Sequence, residues 1–279
     1  MDPLQGGGML ESAPWTGRSM ASPELHPNLR AIDLAGLDAA AALRDRVDRK
    51  YVLRREALCP LLEHLAPTHR VLEIEGRRRF GYASTYYDSD DLRSYRDHLQ
   101  GRRRRYKSRR RDYLAGGGSV FEVKFKGARG RTLKRRTAWA GDEGEDALGV
   151  EALGFLDAVL LDAYALPAPP ALRRELIVGY DRITLADPAA GERVTCDLDL
   201  CFAAVDGGRT GRLRDEFAVV EVKSAGGAAT TADLALRALG AHPADSLSKY
   251  MLGIGLIRDD VVTNPLRPLL HRWCEPCAV

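Results

Sequence analysis

Alternate positions along Arg103–Tyr113 are Arg103, Arg105, Lys107, Arg109 and Arg111, and eight of the ten residues from Arg102 to Arg111 are Lys or Arg. In a β-strand, residues i, i+2 and i+4 share a face, so this segment read as a strand stacks like charges along one side. Two unit charges roughly 4 Å apart repel by about 4 kcal/mol at an effective dielectric near 20, and like pairs across strands are unfavourable as well. Such an array needs carboxylates or a bound polyanion to neutralise it. Arg102–Arg105 are expected in a loop or an exposed strand end, and Lys107, Arg109 and Arg111 on an inward face.

Other strand-like segments also set a mixed-charge face against an apolar one. Phe121, Val123 and Phe125 oppose Glu122, Lys124 and Lys126. Val194, Cys196, Leu198, Leu200 and Phe202 oppose Arg193, Thr195, Asp197 and Asp199, and Val220 and Val222 oppose Glu221 and Lys223. Nearer the start, Arg46, Asp48 and Lys50 share a face opposite Val47, Tyr51 and Leu53, with Arg49 interrupting the apolar side. A single such strand is accounted for by a sheet with one solvated face. Several together, with helices between them that need apolar surface to pack on, place the charged faces inside a lumen. Its carboxylates are Asp48, Glu122, Asp197, Asp199 and Glu221; the bases outnumber them, which implies a bound anion.

The elements that must position these residues follow from period-2 alternation broken by Gly, Asp and Pro. Strands are expected at Arg46–Leu53, Arg70–Glu75, Tyr82–Asp88, Arg103–Tyr113, Val120–Lys126, Thr132–Thr137, Leu176–Thr184, Arg193–Phe202 and Glu216–Lys223. Helices are expected at Leu34–Leu43, Arg55–Leu65, Asp90–Leu99, Glu143–Ala163, Ala232–Leu239 and Ser246–Ile257, and Asp88 is placed to cap the helix that follows it. Residues 1–27 read as a disordered leader, 28–260 as one domain and 261–279 as a C-terminal tail.

The chain has 279 residues, 45% of them hydrophobic, and a formal net charge of +3. It is long enough for a sizeable core. No apolar run approaches the roughly 18 residues of a membrane span, and no secretory signal pattern opens the chain, so the expected location is cytoplasmic. Five cysteines argue against a disulfide framework. Cys274 and Cys277 form one CxxC without the second pair a zinc site needs.

In order along the chain, Asp48-Arg49-Lys50-Tyr51, Ser84-Thr85-Tyr86-Tyr87-Asp88, Lys107-Ser108-Arg109-Arg110-Arg111-Asp112-Tyr113, Phe121-Glu122-Val123-Lys124, Tyr180-Asp181-Arg182, Arg193-Val194-Thr195-Cys196-Asp197, Val220-Glu221-Val222-Lys223 and Ser248-Lys249-Tyr250 resemble the VTC domain (the vacuolar transporter chaperone-type polyphosphate polymerase domain) of the triphosphate tunnel metalloenzymes. The resemblance covers about Arg44 to Ile257. It implies an α+β fold: a closed antiparallel eight-stranded β-tunnel with helices packed outside. It further implies that Lys50, Arg109, Arg111, Lys124, Arg182 and Lys249 grip the triphosphate and the growing chain. Lys107, Lys126, Arg193 and Lys223 would be second-rank phosphate contacts, and Glu221 would hold Mn²⁺ or Mg²⁺. The hydrolytic branch of that superfamily carries Glu-x-Glu-x-Lys on its first strand. Here Arg46-x-Asp48-x-Lys50 puts a base where the first acid stands, which favours the polymerase-like branch.

The chemistry so implied is transfer of the ATP γ-phosphate to inorganic polyphosphate, a reaction that asks for alignment and charge neutralisation rather than a protein nucleophile. A tunnel hydrolase using the same cradle, and a non-catalytic polyphosphate-binding tunnel, stay open at this level. A nucleic-acid module using Arg102–Arg111 as a backbone-tracking stripe expects aromatics among the bases, and only Tyr106 and Tyr113 interleave; no nucleic-acid partner is therefore expected.

Overall fold

The structure, a computed structural model, describes residues 28–40, 47–127, 131–139, 141, 146–244 and 246–277. The expected leader, Arg46, and the end of the helix expected at Leu34–Leu43 lie outside the described residues. In chain order the strands are β1 (Arg30–Ile32), β2 (Val47–Arg54), β3 (Arg70–Leu72), β4 (Phe80–Asp88), β5 (Tyr106–Tyr113), β6 (Ser119–Lys126), β7 (Thr132–Ala138), β8 (Arg173–Asp187), β9 (Glu192–Ala203), β10 (Thr210–Leu213), β11 (Phe217–Ser224), β12 (His242–Pro243) and β13 (Cys274–Cys277). The helices are α1 (Leu34–Ala40), α2 (Leu58–Leu65), α3 (Arg93–Leu99), α4 (Val150–Tyr164), α5 (Thr231–Ala238), α6 (Lys249–Ile257) and α7 (Arg267–Trp273).

The main sheet runs β12-β2-β11-β9-β8-β4-β5-β6-β7, and every ladder along that path is antiparallel. Lys124 on β6 lies in the electrostatic field of Glu221 and Lys223 on β11, although β9, β8, β4 and β5 stand between. On a flat sheet five strand spacings would separate them by roughly 24 Å, so the sheet curls about its charged face. Lys126 on β6 likewise senses Lys50 and Asp48 on β2.

The curl stops short of the expected closure. Among the described residues no ladder joins β7 to β2 or β12, so the sheet is open along one seam. Lys134, Arg135 and Arg136 on exposed β7 supply a reason, since charged side chains blunt an edge strand against further pairing.

Apolar outer faces take the helices. α2 and α5 cover β2, β9 and β11 through Leu58, Leu62, Leu65 and Leu236 against Val194, Cys196, Leu198 and Val222. Buried Phe121, Val123 and Phe125 pack under Leu156, Val159 and Leu160 of α4. α6 meets Leu176, Val178 and Phe202 through Tyr250, Met251 and Ile254. Gly253 permits that approach: a Cβ there would come within 2.8 Å of Phe202 and closer still to Leu176. Arg49, the interruption in the β2 pattern, reaches outward to the start of α5, where it donates to Asp233 Oδ2 at 3.0 Å and Gly227 O at 2.7 Å.

Residues 264–277, within the expected tail, are built into the fold. β13 pairs with β10, and Leu266, Trp273 and Cys274 are buried in the core. Cys274 and Cys277 stand three apart on a strand and so point to opposite faces.

Candidate functional site

β5 and β6 pair Arg109 with Glu122 and Lys107 with Lys124. Arg109 donates twice to Glu122 Oε2, from Nε at 2.9 Å and Nη2 at 2.6 Å, and from Nη1 to the Tyr86 hydroxyl at 2.9 Å. Glu122 Oε1 accepts from Lys134 Nζ at 3.0 Å, and Arg111 lies 3.7 Å from Glu122 while donating to the Tyr180 hydroxyl at 2.8 Å. Burial pushes the Glu122 carboxyl up, but Arg109, Arg111, Lys134 and Lys124 outweigh it and hold it far below the usual range. Arg110, on the opposite face, pairs with Asp112 at 2.7 Å and lies over Trp139.

A second anchor is built on Asp197. Arg182 forks onto it, Nε to Oδ1 at 2.6 Å and Nη2 to Oδ2 at 2.9 Å, and Lys249 Nζ takes Oδ2 as well. Here too burial acts upward on the carboxyl and is overcome, by Arg182 and then Lys249. Tyr82 and Tyr180 stack 5.3 Å apart and lie beneath the Arg182 guanidinium, and Lys249 Nζ sits 4.7 Å from the Tyr180 ring centre.

Lys249 reaches Asp197 because it opens α6. Ser248, the N-cap, accepts from Met251 N, and the same hydroxyl accepts from Lys107 Nζ at 3.1 Å. Lys50 Nζ donates to Leu247 O at 2.7 Å. Asp88 holds this corner: its carboxylate accepts from Ser89 N at 2.9 Å, Ser94 N at 2.9 Å and Tyr95 N at 3.0 Å, and from the Tyr250 hydroxyl.

Among the described residues Lys107 and Lys124 make no ion pair with a carboxylate, and Lys124 makes no hydrogen bond. Burial, then the Arg109 charge, push its ammonium far below the ordinary lysine value, with Glu221 opposing and Arg111 and Lys223 adding to the shift. Lys107, bonded to the neutral Ser248 hydroxyl, is lowered to about 7 by burial and the charges of Lys50, Arg109, Arg105 and Lys126. Charged groups drawn out of water are ordinarily paired, and Lys124 is half-buried with no partner among the described residues.

The profile of the VTC domain matches residues 45–258. The chain belongs to the VTC domain family. No curated protein matches the sequence. Similar solved structures include the PH1819 protein from Pyrococcus horikoshii OT3, with TM-score 0.41, 14% identity, and coverage of 75% of this chain and 97% of that one. HpAC1 from Hippeastrum, described as a candidate adenylyl cyclase with a dominant triphosphatase activity, gives 0.42 and 13%, with coverage of 76% and 96%. These are distant likenesses and say nothing of this chain's chemistry.

In this VTC domain Lys50, Lys107, Arg109, Arg111, Lys124, Arg182, Glu221, Lys223 and Lys249 are linked by the contacts and fields just described. Lys126 joins them through the fields of Arg105 and Lys50, and Arg193 stands opposite Lys223 in register. Asp199 departs from the expected alternation. It has a φ of 52° beside the β8–β9 register shift, and it pairs with Arg55 and Arg79 instead of Arg182 or Lys249. The sequence pattern alone does not single out Lys134, Tyr82 or Tyr180. Extending the period-2 reading to β7, where Lys134 lies opposite Lys124, finds the first.

For a divalent cation the VTC domain offers little beyond Glu221. Burial raises that carboxyl, but Lys223, Lys124 and Lys50 hold it well below its usual range, and Lys223 Nζ is 2.6 Å from Oε2. Among the described residues no three His, Cys, Asp or Glu side chains gather as a metal cluster. One carboxylate suits a Mg²⁺-like ion that keeps waters and takes its other ligands from phosphates. The residues therefore fit a hard cation to which Glu221 gives one carboxylate and whose other ligands come from elsewhere.

Proposed function

We propose that this VTC domain is a polyphosphate polymerase that transfers the γ-phosphate of ATP to a growing inorganic polyphosphate chain. The observation that carries the reading is Lys124, a half-buried lumen lysine with no hydrogen bond or ion pair among the described residues, set among Arg109, Arg111 and Lys223. A phosphate chain gives every one of these bases an oxygen, and Arg109, Arg111 and Arg182 present fixed forks that suit phosphate geometry.

Synthesis rather than hydrolysis is supported by the state of the carboxylates. Attack by water needs a base to take its proton. Glu122 is consumed by Arg109 and Lys134, Asp197 by Arg182 and Lys249, and Glu221 is held ionised by Lys223; carboxylates held so far below their usual range are poor proton acceptors. A terminal phosphate oxygen is already anionic at neutral pH. In the proposed step it bonds to the γ-phosphorus of ATP, the bond from that phosphorus to the β,γ-bridging oxygen breaks, and ADP leaves with the electron pair. Arg109, Arg111 and Arg182 hold the donor phosphates in line, and Lys50, Lys124 and Lys249 neutralise the transferring group. Glu221 would hold Mn²⁺ or Mg²⁺, which supplies further charge neutralisation at phosphate oxygens when bound. The full tunnel belongs to this reading: a chain lying between the basic faces of β2 and β7 spans the seam where backbone pairing stops.

Incubation of the protein with ATP and Mn²⁺, with products resolved on a gel stained for polyphosphate, tests the proposal. Chains formed by the wild type and not by Lys124→Ala or Glu221→Ala are expected. Orthophosphate as the only product would replace the reading with a tunnel hydrolase.

A further inference from the structure

The two ends of the curled sheet are finished differently. At the end where β5 leaves toward Tyr113, arginines are neutralised: Arg79 is 2.6 Å from Asp181 and also bonds Asp199, and Arg55 is 2.6 Å from Asp199. At the other end, where β5 begins, Arg102, Arg103 and Arg104 are exposed. Among the described residues Arg103 and Arg104 make no hydrogen bond or ion pair, and Arg102 meets Asp97 at 3.3 Å with its side chain still 63% exposed.

This basic loop is held in place. Arg105 donates to Gly101 O at 3.1 Å and to Arg102 O, and Arg102 N donates to Asp97 O at 2.9 Å. The Tyr164 hydroxyl lies 2.8 Å from Arg105 O and accepts from Lys126 N at 2.9 Å, which pins the loop to the end of β6. Arg105 ends this loop at the start of β5, and its charge is felt at both Lys107 and Lys126, so the loop adjoins the lumen bases.

We infer that Arg103 and Arg104, with Arg102 beside them, form an external binding site for inorganic polyphosphate, a hold on the chain where it passes out of the lumen. The inference rests on the polymerase reading for its ligand. A stretch of phosphates extending from Lys107 and Lys126 past Arg105 meets these guanidiniums next. At the opposite end it meets arginines already matched to Asp181 and Asp199, so the potential favours one direction of exit. A nucleic-acid strand is the poorer fit, because single strands are gripped by base stacking on aromatic rings. Tyr106 is buried and the Tyr164 hydroxyl is already engaged.

The test compares two inorganic ligands, tripolyphosphate and long-chain polyphosphate, on wild type and on the Arg103→Ala/Arg104→Ala double variant, titrated over a range of salt. Tripolyphosphate, short enough to stay in the lumen, should bind both proteins alike. Long-chain polyphosphate should bind the variant about tenfold more weakly, with a log–log salt slope shallower by about 0.7 for each phosphate no longer neutralised, as for single-stranded polyanions. The Arg103→Lys/Arg104→Lys variant should recover most of the affinity. Unchanged long-chain binding overturns the inference, as does a parallel loss for both ligands or tighter binding of single-stranded RNA than of polyphosphate at the loop. Because binding needs no turnover, a wild type that makes no polymer yet shows the long-chain effect would sink the polymerase reading and leave this one standing.

Discussion

Two sets of cations share the lumen and differ in how they are kept. Arg109, Arg111 and Lys134 converge on Glu122, and Arg182 and Lys249 on Asp197. These are paired with carboxylates and aimed before any ligand arrives, the preorganisation that the proposed phosphoryl transfer would reward. Lys107 and Lys124 have no carboxylate of their own, and the fold holds their ammonium groups in an unfavourable field. The first set gives geometry. The second gives a local excess of positive charge, which under the proposed function a bound phosphate chain would offset.

The sharpest way to break this comparison is to remove an anchor. Glu122→Ala leaves Arg109 uncompensated in a buried setting and should cost about 3–5 kcal/mol of stability, read by urea denaturation; a loss under about 1 kcal/mol, by the same scale, would mean the anchor is dispensable. Lys124→Ala should lower kcat/KM for polymer synthesis by about a hundredfold or more, roughly 2.7 kcal/mol. The same variant should raise the ligand-free Tm, since the folded site disfavours the Lys124 ammonium through desolvation and the Arg109 charge. A fall in Tm would show that Lys124 is paired after all.

Protonation separates the two sets more gently. Lys107 sits at about 7 in the folded chain, down from its ordinary 10.5. Between those values the unfolded chain binds the extra proton, so ligand-free stability should rise as pH increases from about 7 and level off beyond about 10. A bound polyphosphate restores the charge. Tripolyphosphate binding should therefore take up protons above about pH 7 and few below about pH 6, measured by calorimetry in buffers of different ionisation enthalpy. Equal heats in all buffers at about pH 8 would refute it. The smallest effect belongs to Lys134, which is 35% exposed: Lys134→Ala should cost about 0.5–1 kcal/mol of stability after solvent screening, with Glu122 still held by Arg109.

Much of this was legible in the sequence because period-2 alternation is local. The faces of β5, β6, β9 and β11 follow from counting by twos, which puts Asp197 on the charged face with Arg193. What a strand will pair with is not local. Lys134 matters only because β7 lies beside β6 in that register. Asp199 fell out of its expected company through a backbone irregularity that no side-chain pattern reports. Tyr82 and Tyr180 stand out only once Arg182 is laid over their rings. β13 is four residues of Cys-Glu-Pro-Cys, tolerable as a strand because it pairs with β10 alone, and the missing ladder at β7 depends on the whole curl.

Asp88 carries a consequence for how the molecule opens. Its fully buried carboxylate gathers donors from the start of α3 and from Tyr250 on α6, and a buried acceptor that loses them finds no water to replace them. The two helices therefore come loose together or not at all. In hydrogen exchange the amides of Ser94 and Tyr95 and those of α6 should open as one cooperative unit, with Lys249 leaving Asp197 in the same event.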